Sequence, residues 1–272
     1  MASVFNQSTR IRGSTFPATT RRTTVSALVI ARNEAANLPD CLASLSWCDE
    51  RLVVVDASSH DTTENVARRH ADRVIVREFA DFASQRNAGL KAASCDWIFA
   101  VDADERSSPD QAAEIRSVIA RDRFCGFRVP IRSVVLGRSF RFSGTQHDRP
   151  LRLFRRDSGQ WTGEVHETVD LEGEAGELRQ ELDHCTIPDM KTFLEKLDLY
   201  TSLEARRLAN EGKMARIRDF TLRPLWTFAK LYVGKQGFRD GLEGLMFCAL
   251  SGVSLAVRSW KLRELTRERD SR

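Results

Sequence analysis

The chain has 272 residues, 42% of them hydrophobic, enough for one large domain or for a domain with an appendage. Its formal charge of +4 suits an anionic ligand or surface, but no basic stripe is interleaved with aromatic residues, which argues against a nucleic-acid platform. The six cysteines (Cys41, Cys48, Cys95, Cys125, Cys185, Cys248) are scattered without a Cys-x-x-Cys, which excludes a zinc-ribbon pattern and fits reduced thiols in a cytosolic compartment.

Residues 1–23 are rich in Ser, Thr and Arg and hold no acidic residue, so a disordered tail is expected there. Residues 25–30 form a short apolar run and read as a first strand, followed by the polar loop Ala31, Arg32, Asn33, Glu34. Leu38, Leu42 and Leu45 recur at helical spacing. Residues 52–55 are a second buried strand ending in Asp56. Asp61 with Glu64 reads as a capping pair opening a helix toward His70. Residues 74–76 predict a third strand, residues 84–93 a helix and residues 97–101 a fourth strand. Strands alternating with helices imply an α/β fold with a mostly parallel sheet, and the lack of polar alternation implies burial on both faces.

Three of these strands end in polar residues: Asn33 and Glu34, Asp56, and Asp102 with Asp104. In an open α/β sheet such residues gather at the crevice outside the carboxyl ends of the strands. Asp102, Asp104 and Glu105 put three carboxylates within four residues. Carboxylates that close repel one another unless a cation sits among them, and hard oxygen ligands suit Mg²⁺ or Mn²⁺. No glycine-rich phosphate loop follows the first strand, so a metal would have to carry the phosphates of a nucleotide.

With Asn33-Glu34, Val54-Val55-Asp56-x-Ser58-x-x-Asp61-x-Thr63, Gln85-Arg86-Asn87 and Asp102-Ala103-Asp104-Glu105 in this order, the chain resembles the family-2 glycosyltransferases of GT-A fold. It looks most like their lipopolysaccharide-core β-glycosyltransferase branch, which shares Val165-His166-Glu167 and a stretch like Lys235-x-Gly237-Phe238-x-Asp240-Gly241-x-x-Gly244. The resemblance is strong over residues 25–110 and looser over 160–250. It implies a Rossmann-like nucleotide-diphospho-sugar transferase domain over residues 24–189, with a helical extension over 190–272. It further implies a nucleoside-diphosphate sugar, a UDP-sugar first, bound at the strand ends. Asn33 and Glu34 would lie by the nucleoside, Asp56 would accept from the base, and Arg86 and Asn87 would approach the nucleotide. Asp102 would meet the ribose or a metal-bound water. Asp104 is the expected metal ligand, with His184 completing the site.

Glycosyl transfer needs a cation for the departing diphosphate and one base for the acceptor hydroxyl. Glu167 is the expected base, with Glu164 second; on a strand only one of the two faces inward. The other polar residues have plainer readings: Asp61 as a helix cap, Glu105 as structural or acceptor-facing, His70 and His147 as solvent-exposed. His166 and Trp161 are evenly divided between structural and site roles. The arginines at 138, 141, 149, 152, 155 and 156 read as a solvated face or as a surface for an anionic acceptor.

From Met190 the pattern turns helical, through Phe193, Leu197, Tyr200, Leu203 and Leu208, a second helix opened by Pro224, and a third over residues 241–262. Aromatic residues flanked by Arg and Lys fit a helix lying on an anionic membrane surface. The longest apolar run, residues 245–257, falls short of the about 20 residues of a membrane span. The expectation is therefore a soluble or peripheral protein at the inner face of the cytoplasmic membrane. It would transfer a hexose, with glucose the first choice, to a saccharide or glycolipid acceptor such as lipopolysaccharide core. A sugar nucleotidyltransferase is the competing enzyme, but it would need a glycine-rich basic loop after the first strand. A non-catalytic sugar-nucleotide or membrane-binding module is the competing non-enzyme, and the intact acidic cluster argues against it.

Overall fold

The computed structural model describes residues 22–121, 123–145, 149–163 and 167–270. In chain order the first half contains β1 (Val25–Ala31), α1 (Leu38–Ser44), β2 (Glu50–Asp56), α2 (Thr63–His70), β3 (Arg73–Arg77), α3 (Phe82–Ala92) and β4 (Trp97–Asp102). Then come β5 (Glu105–Arg106), α4 (Pro109–Ile119), β6 (Gly126–Arg128), β7 (Ile131–Val135), β8 (Arg138–Ser139), β9 (Leu151–Arg155), β10 (Gly159–Thr162) and β11 (Thr168–Leu171). The chain continues through β12 (Ala175–Glu177), β13 (Leu182–Ile187), α5 (Met190–Asn210), α6 (Leu222–Ala229) and α7 (Gly241–Asp270).

Seven strands form the central sheet in the order β12-β6-β9-β4-β1-β2-β3. β3, β2, β1 and β4 pair in parallel, while β9 runs antiparallel between β4 and β6. This is the expected α/β sheet with a parallel half. Successive side chains on a strand point to opposite faces. Val25, Ala27, Val29 and Ala31 of β1 accordingly enter one core with Leu38, Leu42, Leu45 and Ile115, while Leu28 enters the other with Val54, Ile98 and Phe154. Gly89 lets α3 lie close to the second face, since a Cβ there would stand 2.1 Å from Leu28 Cδ1.

A second, four-stranded sheet has the order β5-β13-β7-β8. Phe140, Ile187 and Phe193 join it to Phe247 and Leu250 of the helical lobe. The glycine-rich stretch after Lys235 is the joint between the lobe and the body. Asp240 accepts from the backbone N–H groups of Arg141 and Phe142 and from Ser143 Oγ. Gly237 is wedged 2.7 Å, at its would-be Cβ, from Cys248 Sγ, and Gly241 adopts φ +75°.

Two local expectations change. Thr62, not Asp61, is the N-cap of α2, and Glu64 pairs with Arg68 instead of closing a capping box. Asp61 takes the Thr63 N–H on one carboxylate oxygen and the Ala35 N–H on the other, tying the loop after β1 to α2. The third C-terminal helix runs on to Asp270, and the segment Gly237–Arg267 is long and apolar enough to cross a membrane by length and composition.

Candidate active site

The carboxyl ends of β1, β2 and β4 open into a cavity of about 300 Å³ lined by Arg32, Glu34, Asp56, Phe79, Phe82 and Asp104, with Asp102 at its edge. Asp56 is buried at the end of β2. One of its oxygens accepts the Ser58 N–H at 2.8 Å. The other is buried without a hydrogen bond among the described residues, with Arg32 Nε 3.3 Å away. Burial would raise this carboxyl, but the Ser58 hydrogen bonds and the Arg32 charge hold it below the usual range. It is a charged acceptor with one oxygen that has the Arg32 charge beside it but no hydrogen bond, in the cavity that half-exposed Phe79 and Phe82 also line, their rings meeting edge to face at 5.0 Å. A planar, N–H-bearing heterocycle satisfies both features.

Asn33 holds the loop after β1 in the left-handed region, φ 56°, where Asn is one of the tolerated residues. Its Oδ1 accepts the His60 N–H at 2.8 Å, so it braces the two loops against each other. Glu34 lines the cavity, its N–H donating to Thr63 Oγ1 and its carboxylate accepting from Asn37 Nδ2. Burial pushes the Glu34 carboxyl up; Asn37 lowers it, and the neighbouring Asp104 raises it further.

His184 reaches Asp104 across 80 residues of sequence because β13 pairs antiparallel with β5, placing His184 opposite Glu105. The Cys185 N–H donates to the Asp104 carbonyl at 2.8 Å and fixes the register. His184 Nε2 and Asp104 Oδ2 lie 3.1 Å apart. Burial would lower the His184 pKa, but the hydrogen bond and charge of Asp104 raise it on balance. Neighbouring ligand atoms of an octahedral ion with bonds of about 2.1 Å stand about 3.0 Å apart, so the pair has the spacing of two adjacent ligands. Among the described residues no group of three or more His, Cys, Asp or Glu gathers to hold an ion unaided. An ion such as Mg²⁺ or Mn²⁺, which keeps waters and takes substrate phosphates, fits such a pair; a closed all-protein cage does not.

Asp102 borders this cavity and also a second one of about 540 Å³, lined by Arg86, Arg128, Arg152, Trp161, Glu167 and Thr168 among others. Arg86 Nη2 reaches one Asp102 oxygen at 2.6 Å and Arg152 Nη2 the other at 2.7 Å. Arg152 also bonds Glu105 at 2.9 Å, and Glu105 accepts the Asp102 N–H. Burial would raise the Asp102 carboxyl, but Arg152 and Arg86 together hold it far below the usual range. Glu105, 1% exposed, is pushed up by burial, Arg152 opposing. Glu105 is thus structural, a buried partner of Arg152. Arg86 Nε lies 3.5 Å from Glu167 Oε1, which links the Asp102 network to the expected base. Arg86 Nη1 is buried with no partner among the described residues, a donor suited to a phosphate or sugar oxygen.

The structure thus brings Glu34, Asp56, Arg86, Asp102, Asp104 and Glu167 around two adjoining cavities, with His184 against Asp104. Asn87 goes elsewhere: its amide exchanges two hydrogen bonds with the Trp161 backbone, clamping β10 to α3. Trp161 itself lines the second cavity and packs edge to face on Phe154 at 5.0 Å. Glu164 and His166 lie outside the described residues, as does His147. Arg32, Phe79, Phe82 and Arg152 are site residues that no sequence motif singled out. A further hollow of about 400 Å³ beside α4, lined by Glu114, Arg121 and Arg179, shares no residue with either cavity.

The family model described as Glycosyl transferase family 2 matches residues 26–169, more than half of the chain. The lipopolysaccharide core biosynthesis glycosyltransferase LpsC of Rhizobium meliloti (strain 1021) is 29% identical over 250 residues, 86% of this chain and 92% of that protein. An uncharacterized glycosyltransferase of Rickettsia felis is 24% identical, covering 88% of this chain and 89% of its own. The crystal structure of S. aureus TarS 1-349 in complex with UDP-GlcNAc aligns at 13% identity and a TM-score of 0.45, over 90% of this chain and 92% of that one.

Proposed function

Because the chain belongs to glycosyl transferase family 2, we propose that it is an inverting, metal-dependent hexosyltransferase using a UDP-sugar donor. The observation that carries this reading is the meeting of two cavities at Asp102. One is lined by the buried Asp56 and by Asp104, which His184 contacts from outside the lining; the other is lined by Glu167. A donor spanning Asp102 would keep its base against Asp56, Phe79 and Phe82 and its sugar beside Glu167.

Asp104 and His184 would hold Mg²⁺ or Mn²⁺ on the donor diphosphate. Such an ion, when bound, supplies Lewis-acid stabilisation of the negative charge that gathers on the leaving group. Arg86 adds a fixed donor there, and its ion pair with Asp102 keeps it from swinging out. The acceptor hydroxyl attacks the anomeric carbon as the bond from that carbon to the diphosphate breaks. Glu167 takes the hydroxyl proton, and the nucleoside diphosphate leaves. One in-line displacement inverts the anomeric configuration.

The acceptor is a cell-envelope or lipid-linked saccharide, in keeping with the LpsC relative. The lobe supports delivery from an anionic membrane surface at the cytoplasmic face. Leu222, Leu225 and Trp226 lie on one face of α6 and all are exposed, ringed by exposed Arg216, Arg218, Arg223 and Lys230. The test is release of UDP from a panel of UDP-hexoses with Mn²⁺, with and without saccharide acceptors. Turnover of one UDP-hexose that chelator abolishes supports the reading. No turnover with any of them, with no UDP binding, overturns it.

A further inference from the structure

We propose that the groove between α5 and α7 is a binding site for a single alkyl chain bearing an anionic head, the lipid portion of the acceptor, with the head held at Lys196. The inference rests on the reading of the acceptor as lipid-linked and adds where its chain would lie.

The groove has a volume of about 260 Å³. Its walls are Phe193 and Leu197 from α5, Phe247, Leu250 and Leu255 from α7, and Ile187 at the end of β13. A helix is about 10 Å across, far too wide for a slot of this volume between two packed helices. A lone methylene chain is the apolar occupant that fits. Tyr200 of α5 lines the groove and is exposed, so an apolar ring stands at its opening.

The two ends differ in charge. At one end Arg258 is already paired with Glu204 at 3.0 Å. At the other, Lys196 Nζ rests 2.7 Å from the Thr186 carbonyl, half-buried and in no ion pair among the described residues. Its hydrogen bond goes to a neutral carbonyl and the Glu34 carboxylate acts on it only through space, so the ammonium can still pair with an anionic head. That end is also the one beside the donor cavity. Thr186 follows His184 by two residues on β13, and the Lys196 charge is felt at Glu34, which lines the donor cavity. A lipid lying in this groove therefore presents its head, and the saccharide beyond it, to the strand ends where transfer would occur.

The test is calorimetric titration of the full chain with octyl, decyl and dodecyl phosphate, each below its micelle concentration, beside dodecanol and inorganic phosphate. Affinity should rise about three- to fourfold per added methylene, and inorganic phosphate alone should bind weakly. Leu250→Trp and Ser251→Phe, which fill the groove, should each weaken dodecyl phosphate at least tenfold. Both should leave UDP binding intact, which shows that they fold. Lys196→Ala should bring dodecyl phosphate down to the affinity of dodecanol. Affinity independent of chain length, or unchanged in both groove-filling variants, would overturn the proposal. Failure of the parent protein to bind any of the alkyl phosphates while it binds UDP sinks the groove alone, whereas failure of the parent protein to bind UDP while it binds the alkyl phosphates sinks the donor reading alone.

Discussion

In β1 every side chain but Ile30 is sealed between the two faces of the sheet, whereas in α6 no residue is buried at all. Both segments are rich in apolar side chains, so composition does not separate them; what covers them does. At the sheet the apolar residues are spent on the core, and the polar residues left at the strand ends line the candidate site. On α6 and the turn before it the apolar residues remain outside, Ile217 84% and Trp226 70% exposed. On the proposed function, one end would take a charged, water-soluble donor and the other would meet a lipid-linked acceptor.

The sharpest way to break this division is at Glu167. Glu167→Gln removes the base and keeps the shape, so kcat should fall about 10²- to 10⁴-fold while UDP affinity holds, measured by single-turnover transfer and by titration. An unchanged kcat would move the base elsewhere. Next comes Arg152→Met, which leaves Asp102 and Glu105 facing each other without their shared cation. Urea unfolding should show a loss of about 3–5 kcal/mol, the cost of an uncompensated buried charge, against little change for Arg149→Met on the exposed rim.

A smaller effect is expected in the lobe. Trp226→Ser should weaken sedimentation with anionic vesicles roughly tenfold, with turnover of a soluble acceptor unchanged; equal binding by the variant would assign the exposed stripe to something other than a membrane. The smallest concerns Asp61. Burial would raise its carboxyl, but hydrogen bonds from Thr63 and Ala35 hold it below the ordinary value. Its contribution is therefore fully present above the unfolded value, about 3.9, and fades as pH falls through the lower folded one. Asp61→Asn should flatten the acid limb of the stability curve by no more than about 1 kcal/mol, because the group is exposed.

The parallel half of the sheet was legible because its strands are unbroken apolar runs ending in polar residues, and no tertiary partner is needed to read that pattern. β13 was not, because Leu182, Asp183, His184, Cys185, Thr186 and Ile187 are mixed in polarity and owe their strand to pairing with β5 and β7. His184 was therefore reachable only through family resemblance. Arg152 stood in a run of arginines with nothing to distinguish it; it becomes a site residue because β9 folds antiparallel beside β4 and carries it to Asp102. Asn87 looked like a ligand contact by its place in a motif, yet its amide fits the Trp161 backbone, a pairing 74 residues apart that no local spacing announces. Phe79 and Phe82 sat at a loop-to-helix junction, where aromatic residues carry no periodic signal.

The most direct test is calorimetric titration of UDP into the purified protein with and without Mn²⁺, repeated on Asp104→Ala. The account predicts binding that Mn²⁺ strengthens at least tenfold in the parent protein and does not strengthen in the variant, with both proteins folded. Binding equally tight with and without Mn²⁺, or equally strengthened in Asp104→Ala, would contradict a donor held through a metal at Asp104 and His184.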